Sequence, residues 1–124
     1  MNMILVYLPF ESRLEISKTL RSFNGHEFVL YHPDASNYSV KNMHWRAPSR
    51  DGFQSDLARC SGVICNAGFE LCSETLQIGT KLLVKPMQGQ PEQLSNALAL
   101  KQLGWADSML NLSSQIVEKW LDKP

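Results

Sequence analysis

One pattern recurs along this chain and constrains it more than any other. A short, unbroken apolar run is stopped by Pro, Gly or Asn, and a stretch with apolar residues at one-turn spacing follows. Met3-Ile-Leu-Val-Tyr-Leu8 ends at Pro9, and Glu27-Phe-Val-Leu-Tyr31 ends at His32-Pro33. Ser61-Gly-Val-Ile-Cys65 runs into Asn66-Ala67-Gly68, and Lys81-Leu-Leu-Val-Lys85 stops at Pro86. Runs without polar alternation are the mark of strands buried on both faces. Between them, helices are expected from Glu11 to Phe23 with Ser12 as cap, and from Ser49 or Asp51 through Phe53, Leu57 and Cys60. Further helices are expected from Phe69 to Ile78, stopped by Gly79, and from Pro91 to Leu103, stopped by Gly104. A last helix, Ser113 to Leu121, offers Ile116, Val117, Trp120 and Leu121 on one face. Ala35 to Tyr38 reads as polar loop, and Val40 to Arg46 as a short third strand. The alternation predicts an α/β fold: a Rossmann-like, doubly wound parallel sheet with helices on both faces, one domain over residues 1–124. In such sheets ligands sit at the carboxyl ends of the strands.

Composition then excludes function classes. Lys+Arg and Asp+Glu are 12 each, so the net charge is zero, a poor match to nucleic-acid phosphates or an anionic membrane surface. At 44% hydrophobic residues the chain is too apolar for disorder, yet no run approaches the roughly 20 residues of a membrane span. Met1 to Leu8 lacks a basic leader and a small-residue cleavage site, so no signal peptide is expected. The three cysteines, Cys60, Cys65 and Cys72, have no C-x-x-C spacing, which points to reduced, partly buried thiols and a cytoplasmic location. His26, His32 and His44 form no metal spacing and read as surface or loop residues; no metal site is expected. No Ser-His-Asp or Cys-His arrangement stands out, and catalytic residues stay unassigned. Neither the G-x-G-x-x-G nor the P-loop fingerprint is present.

The informative stretch is Cys65-Asn-Ala-Gly-Phe-Glu-Leu-Cys-Ser-Glu74, with Gln88, Gln90, Glu92 and Gln93 after the next strand. A strand feeding through Asn66-Ala67-Gly68 into a helix presents free backbone N–H groups at a positive dipole end, a ready phosphate site. Gly68 lets the backbone approach an anion closely. Glu74 lies within reach of the hydroxyls of an attached sugar. Gln88, Gln90, Glu92 and Gln93 cluster amides and a carboxylate of the kind that read a hexose. Each piece alone has a plainer meaning: a cap and turn, a solvated helix residue, a polar loop. Lys85, beside that loop, reads as a solvated strand-end lysine, with a diphosphate contact as the alternative. The pieces together are what favour phosphate, ribose and hexose in a row.

The run from about Asp56 to Gly104 resembles the C-terminal, donor-binding domain of GT-B glycosyltransferases. It is similar to glycosyltransferase family 28, to MurG-like proteins and to UDP-glycosyltransferases. The matching elements are Ala67-Gly68, Ser73-Glu74, Gly79, Pro86, Glu92-Gln93 and Asn96-Ala97, in order. The resemblance implies a single GT-B half-domain that binds a UDP-sugar for transfer of a hexose or N-acetylhexosamine to an acceptor hydroxyl. Backbone N–H groups near Gly68, Phe69 and Glu70 would hold the diphosphate, with Asn66 and Ser73 also in the donor site. Glu74 would hold the ribose, and Glu92 and Gln93 would contact the sugar with Gln88 and Gln90 beside them. The base would lie near Arg46 to Pro48. No cofactor is implied, because backbone N–H groups and the helix dipole carry the leaving diphosphate's charge. The chain departs from the family pattern in two places. Asn66 stands where many relatives have His, and Leu8-Pro9-Phe10-Glu11-Ser12 replaces a glycine-rich turn, leaving Glu11 and Ser12 without a role. The acceptor domain of such enzymes is expected to be missing from this chain, so that the isolated domain transfers little until an acceptor-binding domain or subunit joins it. The alternative is a non-catalytic interaction or dimerisation module derived from such a domain, favoured by apolar Phe10, Met87 and Trp105 left on one face.

Overall fold

The computed structural model describes residues 3–124; Met1 and Asn2, the first two residues of the Met1 to Leu8 stretch, lie outside the described residues. Among these, the chain runs β1 (Met3–Tyr7), α1 (Arg13–Leu20), β2 (Glu27–Tyr31), β3 (Tyr38–Val40), β4 (Met43–Arg46) and α2 (Arg50–Arg59). It continues with β5 (Gly62–Asn66), α3 (Phe69–Ile78), β6 (Lys81–Lys85), α4 (Pro91–Gln102), β7 (Asp107–Ser108) and α5 (Ser114–Leu121). The strands form one seven-stranded sheet in the order β3-β4-β2-β1-β5-β6-β7. Every pairing is parallel except β3 with β4. The expected doubly wound sheet is therefore present. From β1 the chain moves outward through β2 and β4, then returns to the opposite flank of β1 with β5. The strand order reverses between β1 and β5, and their carboxyl ends form the crevice where such folds bind ligands.

Alternation along each strand divides the core into two layers. Ile4, Val6, Leu8, Phe28, Leu30, Ile64 and Leu83 point to one face and pack on Ile16 and Leu20 of α1 and Val117, Trp120 and Leu121 of α5. Leu5, Val29, Tyr31, Val63, Cys65, Leu82 and Val84 point to the other, against Leu57 of α2, Cys72 of α3 and Ala97 of α4. Burial on both faces is the reason these strands carry continuous apolar runs. α5 is locked down by Lys81, whose ammonium donates to the carbonyls of Trp120, Leu121 and Lys123 at 3.1, 3.0 and 2.8 Å. These carbonyls lie at and just beyond the negative carboxyl end of the helix, where a cation is favoured. No helix among the described residues is long and apolar enough to cross a membrane.

Several expectations need correction. The single strand from Val40 to Arg46 is a hairpin, β3 and β4, which also takes Tyr38 from the expected polar loop. Its turn places Lys41 at φ 55, and Asn42 turns its carboxamide inward to the Phe23 and His26 carbonyls at 3.0 and 3.3 Å. Tyr38 stacks on Trp45 with ring centroids 6.5 Å apart, so an aromatic pair holds the edge strand. β7 pairs with β6 through Asp107 and Ser108 only, too short and polar for periodicity to mark. The first helix is shorter than expected, starting at Arg13 after its Ser12 cap. Ser49, not Asp51, caps α2, accepting the Gly52 N–H at 3.1 Å. His32 and Lys85, read as surface residues, are buried.

Candidate functional site

The carboxyl ends of β1 and β2 and the starts of α2 and α3 surround a cleft of about 350 Å³. Tyr7, Tyr31 and Phe53 line it, with Tyr7 and Tyr31 each meeting the Phe53 ring edge-on at 5.4 and 5.2 Å between centroids. His32, Pro33 and Pro48 contribute the strand-end loops, while Glu70 and Glu74 enter from α3. Four residues apart on a helix, these two carboxylates share one face and meet the cleft together. Gln54 of α2 reaches across to Glu74, its amide N–H donating at 3.4 Å. Tyr31 donates its hydroxyl to Asp56 at 2.7 Å, and Arg59 pairs with the same carboxylate. Burial, then the Asp56 hydrogen bond and charge, pushes the Tyr31 hydroxyl well above its ordinary range.

The opposite side of α3 looks onto α4 across a second cleft of about 290 Å³, lined by Gly68, Phe69, Ser73 and Asn96 among others. Between the two clefts lies the α3 N-terminus, which starts at Gly68 without a side-chain cap. A Cβ at Gly68 would meet no atom within 4 Å, so the space over the turn is open. Asn96 fixes this turn from α4, donating to the Ala67 carbonyl at 3.1 Å. The expected sugar-contacting residues are set further along the same edge. Gln88, Gln90 and Glu92 are exposed on the β6–α4 loop and the first turn of α4. Gln93 is half-buried and accepts the Met87 N–H at 2.8 Å, so its carbonyl braces that loop while its amide N–H stays available. Asn66 is buried in the sheet, its side-chain amide donating to the Lys85 carbonyl at 2.9 Å.

Glu11, without a role in the sequence, and Lys85, expected as a solvated strand-end lysine or a diphosphate contact, meet at the strand end beside this turn. Lys85 Nζ and Glu11 Oε2 lie 2.7 Å apart with side chains 9% and 19% exposed, a nearly buried ion pair. The Glu11 main chain is held as well. The Asp34 N–H donates to His32 Nδ1 at 3.1 Å, which places the ring proton on Nε2, and Nε2 donates to the Glu11 carbonyl at 2.8 Å. The β1–α1 loop is therefore clamped from the ends of β2 and β6. Periodicity carried one signal of this: Lys85 falls on the same sheet face as Leu83, toward α1. The cysteines are free and buried, and the Cys65 thiol is pushed well up by its hydrogen bond to Cys72 and by burial, which leaves it inert.

The family model described as Glycosyl transferase family 1 matches residues 1–123. The chain belongs to this family. No curated protein matches this glycosyltransferase-family domain. Among solved structures it is similar to the glycotransferase of kitacinnamycin, with 16% identity and a TM-score of 0.74 over 98% of this chain and 35% of that one. It is similar to the glycosyltransferase SnogD from Streptomyces nogalater at 19% identity and a TM-score of 0.72, over 98% of this chain and 33% of that one. The spinosyn forosaminyltransferase SpnP matches at 12% identity and a TM-score of 0.74, over 99% of this chain and 35% of that one. The fold is that of a GT-B half-domain, and the chain spans about a third of the length of these structures.

Proposed function

We propose that this domain binds the nucleotide-sugar donor of a glycosyltransferase, and that the donor is a UDP-hexose or UDP-N-acetylhexosamine. The observation that carries the reading is the uncapped α3 N-terminus, open above Gly68, emerging at the point where the strand order reverses. Backbone N–H groups of Phe69 and Glu70 would take the diphosphate. Glu74, facing the aromatic cleft, would accept the ribose hydroxyls, and the base would enter that cleft between Tyr7 and the Pro48 loop. Gln88, Gln90, Glu92 and the free amide of Gln93 would orient the sugar. The acceptor oxygen attacks the anomeric carbon, the bond to the diphosphate oxygen breaks, and UDP leaves with the electron pair. The acceptor's proton passes to a base outside this domain, on an acceptor-binding domain or subunit. This domain's share is binding, orientation and stabilisation of the departing charge.

A thermal-shift panel of nucleoside diphosphates tests the reading. UDP should raise the melting temperature, with a shift that keeps growing as the logarithm of UDP concentration above Kd, and purine nucleotides should raise it less. The second reading, an interaction module, expects Phe10, Met87 and Trp105 on one face. Phe10 and Trp105 are 69% and 58% exposed, but Phe10 follows β1 at the carboxyl end of the sheet and Trp105 lies with Thr80 and Lys81 at the amino end of β6, so they form no common apolar face. Such a module would show no shift with any nucleotide and would form a concentration-dependent dimer.

A further inference from the structure

The reading above leaves one nearly buried ion pair unused, and its place in the sheet gives it a task. β5 lies between β1 and β6. Lys85 is paired in register with Asn66 at the end of β5, and Glu11 follows β1. The Lys85–Glu11 contact therefore crosses the carboxyl end of β5, where Asn66-Ala67-Gly68 leads into α3. A lysine side chain held there carries a full positive charge close to the turn over which an anion would sit. At the same strand end the Asn66 side-chain oxygen is buried with no hydrogen-bond partner among the described residues, while its amide nitrogen donates to the Lys85 carbonyl at 2.9 Å.

We infer that Lys85 is the diphosphate-recognising cation of this site, held in reserve by Glu11 and exchanged from the Glu11 carboxylate to the diphosphate when a donor binds. The inference rests on the nucleoside-diphosphate reading above. Charge decides the direction of the exchange. Glu11, Glu70 and Glu74 already place carboxylates around the start of α3, and a diphosphate adds at least two further negative charges. Glu11 offers one carboxylate to the ammonium, whereas a diphosphate offers several oxygens with a higher charge density. An unpaired Glu11 left beside the ligand would repel it. Glu11 then swings toward solvent, which its partly exposed side chain allows. The exchange also loosens one of the two clamps on the β1–α1 loop, leaving His32 as its remaining anchor.

The test is calorimetric titration of wild type, Glu11→Gln and Lys85→Met with UDP and with uridine, which lacks both phosphates. Glu11→Gln removes the competing charge at constant shape and should tighten UDP binding by about three- to tenfold while leaving uridine unchanged. Lys85→Met should weaken UDP about tenfold or more, again without moving uridine. A purely structural pair gives a different pattern: Glu11→Gln would weaken UDP, or move UDP and uridine by the same factor, and either result overturns the exchange. If Lys85→Met does not fold, Glu11→Gln decides alone. Wild type that binds neither ligand contradicts the site itself. Wild type that binds UDP, with a UDP-to-uridine ratio unchanged in Glu11→Gln, contradicts this inference only.

Discussion

The Asn96 side chain of α4 donates to the Ala67 carbonyl at 3.1 Å, tying one helix to the turn from which the next one springs. That bond sets the height of the α3 N-terminus against the sheet. Asn96→Ala should cost about 1 kcal/mol of stability by chemical denaturation. Its larger effect should be on ligand binding, because a loosened turn no longer holds its N–H groups in place. UDP affinity should fall several-fold more than the stability loss accounts for.

Lys81 closes the carboxyl end of α5 with three hydrogen bonds and lies 5.0 Å from the centre of the Trp120 ring. Lys81→Met keeps the aliphatic stem and deletes the charge. About 1–2 kcal/mol of stability should be lost, because the site is partly solvated. Hydrogen exchange should locate the loss in α5, with the amides of β1 and β5 protected as before.

Gly62 touches the Trp120 indole so closely that a Cβ there would lie 2.7 Å from the ring. Gly62→Ala should therefore destabilise by about 1–3 kcal/mol through overpacking. Trp120→Phe should also destabilise alone, by opening a cavity. In the double variant the two costs should sum to less than their separate total, since the smaller ring leaves room for the new methyl group. Urea midpoints of the four proteins give the coupling directly.

Tyr31 supplies a pH dependence with a definite sign. Its hydroxyl titrates higher in the folded chain than its ordinary value of 10.0. The stability it contributes is complete below that value and is lost as pH rises above it, because the unfolded chain releases the proton first. Between pH 8 and pH 11 wild type should lose about 1.4 kcal/mol more than Tyr31→Phe. Equal losses would show that the buried hydroxyl ionises freely.

The sheet was legible in the sequence because strands buried on both faces cannot hide: Ile4, Leu5 and Val6, or Leu82, Leu83 and Val84, leave no polar alternation. The β3–β4 hairpin was not, because its turn rests on Lys41 and Asn42 and not on a glycine pair, and its edge strand is exposed throughout. Glu70 and Glu74 could be placed together from helical spacing alone. Lys85 and Glu11 could not. They are 74 residues apart in the chain, and only the order of β1, β5 and β6 brings them across one strand end. The burial of His32 has the same origin, since its Nε2 bond reaches the Glu11 carbonyl on a loop that only tertiary structure delivers.

Whether α3 presents a nucleotide site with Glu74 at the ribose is decided by calorimetric titration of UDP into wild type and Glu74→Ala. Saturable binding at one site per chain is expected, weakened about tenfold or more by the substitution while the melting temperature without ligand stays within a degree or two. No binding at millimolar UDP, or equal affinity in the two proteins, would contradict it.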